Sequence, residues 1–223
     1  MPYEARLGAD DPPQPAASTA TTTAAAAARW HPARMPDPDY VLQGERVALG
    51  PLRVDLADTY RRWVHDPEVR AGIVVPGIYA LEAEEDWVRE TIAKCAGPAP
   101  EAANFTIYDR SDETPIGTSA LMNIDWRMSR AMFGISIGER RGQGLGTEAT
   151  RLTLDWAFHV LCLHNVMLGV LPTNAGAIRS YEKAGFRHVG VRRNAVVSGG
   201  RRCDEVIMDA VPEDFASPVL ARG

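Results

Sequence analysis

Three glycines at alternate positions, Gly142, Gly144 and Gly146, follow a predicted strand and stand directly before a predicted helix. The first backbone amides of a helix have no partners within the helix, and the helix dipole places partial positive charge there. Glycine lets such amides approach an anion without a Cβ in the way. This arrangement would bind a phosphate-bearing ligand, with Arg140 or Arg141 adding charge-assisted hydrogen bonds. The alternative is a glycine-rich turn used only for tight packing.

The spacing of these glycines excludes two common phosphate-binding motifs. A mononucleotide loop has a lysine after its last glycine, whereas Thr147 follows Gly146 here. A dinucleotide-binding fingerprint has the pattern GxGxxG early in a βαβ unit, whereas this chain has GxGxG late in its sequence. A phosphate ligand would therefore have to be of another kind.

Hydrophobic periodicity predicts the elements that position the glycines. A helix is expected over about 145–161, because its apolar residues recur at steps of three or four. Three strands precede it, and Phe133, Ile135 and Ile137 share one face of the third. The buried strand "NVMLGVLP" and a short helix with Asn174 as its N-cap follow it.

Further helices and a closing hairpin complete the predicted fold. The segment 56–72 reads as a helix that Asp66 and Pro67 interrupt, and 80–97 reads as a second helix. A turn at 198–200 joins the last two strands. Helices alternate with strands but hairpins dominate, so we expect an α/β (α+β) domain with a mixed sheet.

Composition divides the chain into three parts. Residues 1–40 are rich in alanine, proline and threonine, which predicts a disordered tail. The alternative is an arm that docks on a partner subunit of a homodimer, with Trp30 and Tyr40 as anchors. Residues 41–213 have the composition of one globular domain, and 214–223 are expected to form a short C-terminal tail.

Charge and cysteine usage exclude several classes of function. The formal net charge of −5 argues against general binding to nucleic acid, which needs a basic face. No apolar run approaches the roughly 18 residues of a membrane span, and the N-terminus does not resemble a signal peptide. The three cysteines form no CxxC pair, so neither a disulfide framework nor a metal site is expected. A cytoplasmic protein is the expectation.

Two blocks of the sequence resemble a known family, the GNAT-type N-acetyltransferases. The segment 141–146, "RGQGLG", fits the family signature [QR]xxGx[GA], and the second block, "NAGAIRSYEKAGF", begins about 28 residues later at Asn174. The resemblance covers roughly residues 43–211. The segments 63–70 and 181–209 are most similar to the RimJ/RimL branch of the family.

The resemblance implies the GNAT fold, with a mixed, mostly antiparallel central sheet of six to seven strands flanked by about four helices. It also implies acetyl-CoA as the donor co-substrate, without a metal. Amides of the loop 141–147 would bind the pyrophosphate, and the strand from Phe133 would pair with the pantetheine arm where it separates from the next strand. Asn174 would hydrogen-bond near the pantetheine, or serve only as the helix cap. The cofactor-binding residues so implied are Phe133, Ile135, Ile137, Arg141, Gly142, Gln143, Gly144, Leu145, Gly146, Thr147 and Asn174.

The resemblance assigns the catalytic acid but leaves the base open. The departing thiolate needs a proton, and Tyr181 matches the family's acid; otherwise it is a residue of an amphipathic helix. Met132 stands where many members of the branch carry a glutamate, on the strand face of Gly134 and opposite to Phe133. Asp125, at the end of the preceding strand, is then the nearest acid.

Other candidates for the base remain open beside Asp125. A role for Asp125 as a turn residue is at least as well supported, and Glu139 is a weaker candidate. Ordered water could serve instead.

The predicted activity is transfer of an acetyl group to a primary amine by direct attack in a ternary complex. A small-molecule amine is the first choice of acceptor, and the α-amine of a protein is the second. A non-catalytic CoA-binding sensor or scaffold is the alternative from another class. Four acids on the second helix would attract a cationic amine, or they form a solvated helix face. They are Glu82, Glu84, Glu85 and Asp86.

Overall fold

The structure, a computed structural model, describes residues 38–72 and 77–220. The predicted N-terminal tail therefore lies almost wholly outside the described residues, and so does Trp30. The described residues belong to one compact unit of the chain, built around a single sheet.

Eight strands form this sheet in the order β1-β2-β3-β4-β5-β6-β8-β7. The sheet is mixed and mostly antiparallel, as predicted, and β5 with β6 is the parallel pair. The expected count of six to seven strands is low by the two-residue strand β1, which is too short to give a periodic pattern. The strands are β1 Leu42–Gln43, β2 Val47–Pro51, β3 Ala103–Asp109, β4 Thr114–Asp125, β5 Arg130–Ile137, β6 Asn165–Val170, β7 Arg187–Ser198 and β8 Arg201–Ala210.

Within the described part of the chain there are five α-helices, where about four were expected. The additional helix arises at Asp66, whose extended backbone ends one helix before Pro67 begins the next, as the residue before a proline disfavours the helical region. The helices are α1 Ala57–His65, α2 Pro67–Gly72, α3 Leu81–Lys94, α4 Leu145–His159 and α5 Ala175–Ala184, with short 3-10 turns at Val54–Leu56 and Pro212–Asp214.

The helices cover opposite faces of the sheet. Ser119 on β4 shares a hydrogen bond of 2.8 Å with Thr153 of α4, and Phe105, its partner across the ladder, packs on α4 as well. The next residue of β3, Thr106, hydrogen-bonds Tyr60 of α1 at 2.5 Å. Successive strand residues point to opposite faces of the sheet. Phe105 therefore lies on the face that α4 covers, called the α4 face, and Thr106 lies on the face that α1 covers, called the α1 face.

The C-terminal residues that the sequence sets apart as a short tail pack on α4. The Phe215 ring lies 5.3 Å from that of Phe158, between ring centroids. The Asp155 carboxylate is fully buried and accepts hydrogen bonds of 3.0 Å from the backbone amides of Val219 and Leu220. A buried carboxylate of α4 therefore fixes the chain up to its last described residue.

Candidate active site

The parallel strands β5 and β6 pair over only three residues and then separate. The last paired residues are Met132 and Met167, although β5 continues to Ile137 and β6 to Val170. Throughout this length β5 stays paired with β4 on its other edge. The separation forms a fork in the sheet, where backbone groups of β5 that face β6 can bind an extended ligand.

Tyr181 of α5 lies at the fork on the α4 face of the sheet. Its ring is 6.1 Å from Phe133, the first residue of β5 beyond the last β5–β6 pair, and 5.9 Å from Phe186, between ring centroids. Burial in this aromatic cluster raises the pKa of Tyr181 to about 12. The phenol therefore keeps its proton at neutral pH, as a proton donor must.

The three glycines of the loop before α4 have different structural reasons. Gly142 and Gly144 have φ of 77° and 84°, a left-handed conformation that favours glycine, and Gly144 is the N-cap of α4. A Cβ on Gly142 would meet no atom within 4 Å, so its backbone faces open space. Gly146 instead packs on β5, since a Cβ there would lie 3.2 Å from Ile137. An anion could thus approach the first two, whereas the third serves packing.

The Arg141 side chain binds oxygen atoms of the protein itself. Its guanidinium donates to the carbonyl oxygens of Ile137 and Gly138 at 2.8 and 2.9 Å. It also pairs with Asp66 at 2.5 Å and Glu68 at 2.6 Å, and its hydrogen bond holds the pKa of Asp66 below the usual range. Its donors are engaged by these oxygens, and the expected phosphate contact of this side chain stays a prediction. A contribution of the Arg141 backbone amide stays a prediction.

Arg140 is likewise held by carboxylates. It pairs with Asp109 and with Asp112 at 2.5 Å each, and its backbone has a positive φ of 54°. The pKa of Asp109 is lowered to about 2, chiefly by hydrogen bonds from Ser111 and then by Arg140. The side chain of Arg140 thereby ties the β3–β4 turn to the glycine loop and is occupied there.

Arg46 is a basic residue of this region that the sequence analysis missed. Its guanidinium donates to the carbonyl oxygen of Gln143 at 2.9 Å, and its own amide donates to Glu148 at 2.8 Å. It lines an open basin of about 650 Å³ beside the loop, together with Arg110 and Arg140. No local signal could have found it, because Arg46 and Gln143 are 97 positions apart.

The remaining predicted donor-site residues join α4 and α5 to the loop. Leu145 is buried, and the Thr147 hydroxyl shares a hydrogen bond of 2.7 Å with Ser180 of α5. Asn174 caps α5 by accepting the amide of Ala177 at 3.1 Å. Its cap function is therefore explicit, and its hydrogen bond to a pantetheine stays a prediction.

Asp125 and Glu139, the two acids considered as the general base, each have a hydrogen-bond partner in the structure. Asp125 accepts the amide of Met128 at 3.0 Å and lies 3.4 Å from Arg130, inside its own hairpin turn. Glu139 accepts the indole N–H of Trp63 at 3.2 Å. The structure supports the turn interpretation of Asp125, and its catalytic role stays a prediction.

The acid cluster of α3 divides into different environments. Glu85 and Asp86 pair with Arg89 of the same helix at 2.8 and 2.9 Å, whereas Glu84 is buried, which raises its pKa. This favours a helix face stabilised by local pairs over one acidic patch. Within residues 38–72 and 77–220, no group of three His, Cys, Asp or Glu residues could hold a metal, and no helix is long and apolar enough to cross a membrane.

Comparison with known proteins agrees with this geometry. Residues 46–187 match the family model of the Acetyltransferase (GNAT) domain. The chain is 38% identical over 117 residues to a probable N-acetyltransferase of Bacillus subtilis, YjcK, and this match spans 51% of the chain and 65% of the relative.

Two solved structures share the fold. The Vibrio cholerae spermidine N-acetyltransferase in complex with CoA and spermine is 22% identical with a TM-score of 0.68, over 76% of this chain and 97% of its own. Mycobacterium smegmatis RimJ in complex with CoA-disulfide is 20% identical with a TM-score of 0.68, over 75% and 82%.

Proposed function

Because the chain belongs to the GNAT acetyltransferase family, we propose that it transfers the acetyl group of acetyl-CoA to the primary amine of a small molecule. The observation that carries this proposal is the fork between β5 and β6 with Tyr181 beside it. A binding module would need the fork and the glycine loop, but it would have no use for a protonated phenol at that place.

The residues of the fork divide the reaction between them. Acetyl-CoA would supply the thioester that is cleaved. The free edge of β5 would hold its pantetheine arm, and the loop from Gly142 to Gly144 with the N-terminus of α4 would bind its pyrophosphate. The neutral amine nitrogen forms the new C–N bond as the C–S bond breaks, and Tyr181 gives its hydroxyl proton to the sulfur. The nitrogen releases one proton to water or to the base that stays open, and the Tyr181 phenolate takes one proton back from water, so that the phenol is restored. No acyl-enzyme is required, so both substrates would be bound at once.

The acceptor is inferred from the relatives. The structure of the Vibrio cholerae enzyme contains spermine, which favours a small cationic amine. The RimJ/RimL branch, which the sequence resembles, also includes enzymes that act on protein α-amines, so that class is the second candidate.

The cysteines Cys95, Cys162 and Cys203 are free thiols, and we propose a cytoplasmic location.

Release of free CoA from acetyl-CoA tests the proposal directly. The panel would contain spermidine, spermine, a peptide with a free N-terminal alanine, and the same peptide with a blocked N-terminus. We expect CoA release with a polyamine, and a product that gains the mass of one acetyl group. Cys162 is exposed, so a reaction without amine corrects for protein thiols.

The panel also separates the alternatives. Release with the free peptide alone would identify a protein acetyltransferase. Binding of acetyl-CoA by calorimetry without release for any amine would identify a sensor or scaffold, and the proposed activity would be wrong.

A further inference from the structure

The α1 face of the fork carries glycine on both strands. Gly134 of β5 and Gly169 of β6 each lie two residues beyond the last pair, Met132 with Met167, so they occupy equivalent positions across the fork. Successive residues of a strand point to opposite faces of the sheet. Phe133 faces α4, so its neighbours Met132 and Gly134 lie on the α1 face, and so do their counterparts on β6, Met167 and Gly169. Neither position has a side chain to close the fork, so an acceptor could reach a thioester from this face.

Two side chains from neighbouring strands lie over these glycines. The methyl group of Met122 would be 3.0 Å from a Cβ on Gly134. On the other side, the carboxylate of Glu205 occupies the space that a Cβ on Gly169 would take, and its Oε1 is the atom closest to it. The α1 mouth of the fork is thus flanked by an apolar group from β4 and a carboxylate from β8.

The Glu205 carboxylate is held in this position. Its Oε2 accepts a hydrogen bond of 2.9 Å from Arg192 of β7, and its side chain is 18% exposed. One oxygen is therefore fixed by an ion pair, while Oε1 lies over Gly169 at the edge of the fork. Arg192 is itself 66% exposed, so this pair stays open to solvent at its outer side.

Two other carboxylates near this face lie on the closed side of the fork. Asp209 stands opposite Met167, in the row of residues that still joins β5 to β6, and it accepts a hydrogen bond of 2.8 Å from Asn165. Asp125 pairs across the hairpin with Arg130, where β5 starts. Of these three carboxylates, that of Glu205 is the one that lies where β5 and β6 have already separated.

We propose that Glu205 is the residue that binds the amino group of the acceptor, an inference that rests on the proposed function. Its Oε1 accepts a hydrogen bond from the acceptor nitrogen, and its charge favours an amine that arrives as an ammonium ion. The methyl group of Met122 faces the carbon chain across the fork. The pair fits an unbranched primary alkylamine, with its methylenes against Met122 and its nitrogen against Glu205.

The substitution Glu205→Gln tests this role because it keeps the shape of the side chain and removes its charge. We expect KM for spermidine, or for whichever amine of the panel reacts fastest, to rise about 10-fold or more, the effect of a lost charged hydrogen bond. Calorimetric binding of the same amine to the CoA-bound enzyme should weaken in parallel, while affinity for CoA is unchanged. Asp204→Asn is the matched control, because Asp204 points to the other face and bonds the Asn194 amide.

A second variant moves the carboxylate without removing it. Gly169→Ala places a methyl group where the Glu205 carboxylate lies, so KM for the amine should rise again. Gly190→Ala is its control: Gly190 lies in the same row of the sheet, beyond Ile207, and a Cβ there meets no atom within 4 Å.

The outcomes distinguish this inference from the proposed function. Wild-type KM in both Glu205→Gln and Gly169→Ala would overturn the role of Glu205 while leaving the acetyltransferase intact. An increase of KM in Asp125→Asn, with none in Glu205→Gln, would transfer the role to Asp125. If the wild-type enzyme binds acetyl-CoA but acetylates no amine of the panel, the proposed function falls and this inference with it.

Discussion

Tyr181 owes its raised pKa to burial, since desolvation is the cause of the shift and its ring neighbours Phe133 and Phe186 are apolar. A desolvated phenol stays protonated over all physiological pH values, so it still carries the proton that the proposed mechanism requires. At the scale of single residues, the proposed acid is thus kept protonated by apolar packing.

The first prediction concerns the hydroxyl group of Tyr181. Tyr181→Phe should lower kcat about 100-fold, the lower range for a lost proton donor, and leave affinity for acetyl-CoA nearly unchanged. The melting temperature should also stay close to that of the wild type, because the hydroxyl bonds no partner among residues 38–72 and 77–220. Steady-state kinetics and thermal melting check both statements, and wild-type kcat would show that Tyr181 only packs.

The second prediction concerns pH. Since the pKa of Tyr181 is about 12, its ionisation should not reduce kcat between pH 7 and about 10. The same raised pKa adds stability that is fully present below about pH 10 and is lost as the pH rises toward 12. A fall of kcat with an apparent pKa near 9 that vanishes in Tyr181→Phe would contradict this assignment.

At the scale of elements, the glycine loop is held from two sides by its arginines. Arg140 joins it to the β3–β4 turn, and Arg141 joins it to the start of α2 through Asp66 and Glu68. While these ion pairs engage the two guanidinium groups, the backbone amides of the loop and the neighbouring Arg46 stay the predicted contacts of an anion. Its arginine side chains therefore fix the conformation of the main chain that is predicted to bind the pyrophosphate.

Gly144→Val tests the loop as a phosphate site. A β-branched residue at the N-cap of α4 would be strained at φ 84° and would block the approach of an anion, so CoA affinity should fall by about 2 kcal/mol or more. Gly97→Val is the control for strain alone, because Gly97 has φ 90° in a turn where a Cβ would meet no atom within 4 Å. Calorimetry should show unchanged CoA affinity in the control; equal losses in both variants would reject the phosphate site.

The acid side of the stability curve tests the contribution of the Asp109 carboxylate, which accepts hydrogen bonds from Ser111 and pairs with Arg140. The folded-state pKa of Asp109 is about 2, below the ordinary value of 3.8, so its contribution is present above about pH 4 and is lost as the pH falls toward 2. Asp109→Asn should therefore lower the melting temperature at pH 7 and flatten its decrease between pH 4 and 2. Parallel curves for the two proteins would mean that the Asp109 carboxylate does not contribute.

A structural feature of this protein can be predicted from the sequence when the residues that form it are close together in the chain. The loop, α4 and the cap at Asn174 follow from local patterns, and their prediction is confirmed at the level of elements. The carboxylate over Gly169 depends on the pairing of β6 with β8, which no local pattern specifies. The side-chain partners of Arg141 were missed for the same reason, because Asp66 lies 75 positions away.

At the scale of the whole molecule, Asp155 links the central helix to the end of the chain. Asp155→Ala should destabilise the full chain by about 1–3 kcal/mol, since it leaves the amides of Val219 and Leu220 without their acceptor. In a chain that ends at Asp214, the same substitution should cost less, because the carboxylate has already lost these two amides and keeps only its 2.9 Å contact with His159 Nδ1. Denaturant unfolding of the four proteins measures this difference, and an equal cost in both backgrounds would rule out the link.

The ion pairs of Arg141 also limit how this protein can be re-engineered. Asp66 and Glu68 belong to the junction of α1 and α2, whereas Arg141 belongs to the loop before α4. A chimera that took the first helices from a relative, to change its choice of amine, would lose the anchors of the donor loop unless it kept both acids. A graft of the helix pair should therefore keep Asp66 and Glu68 of this chain, or exchange Arg141 together with them.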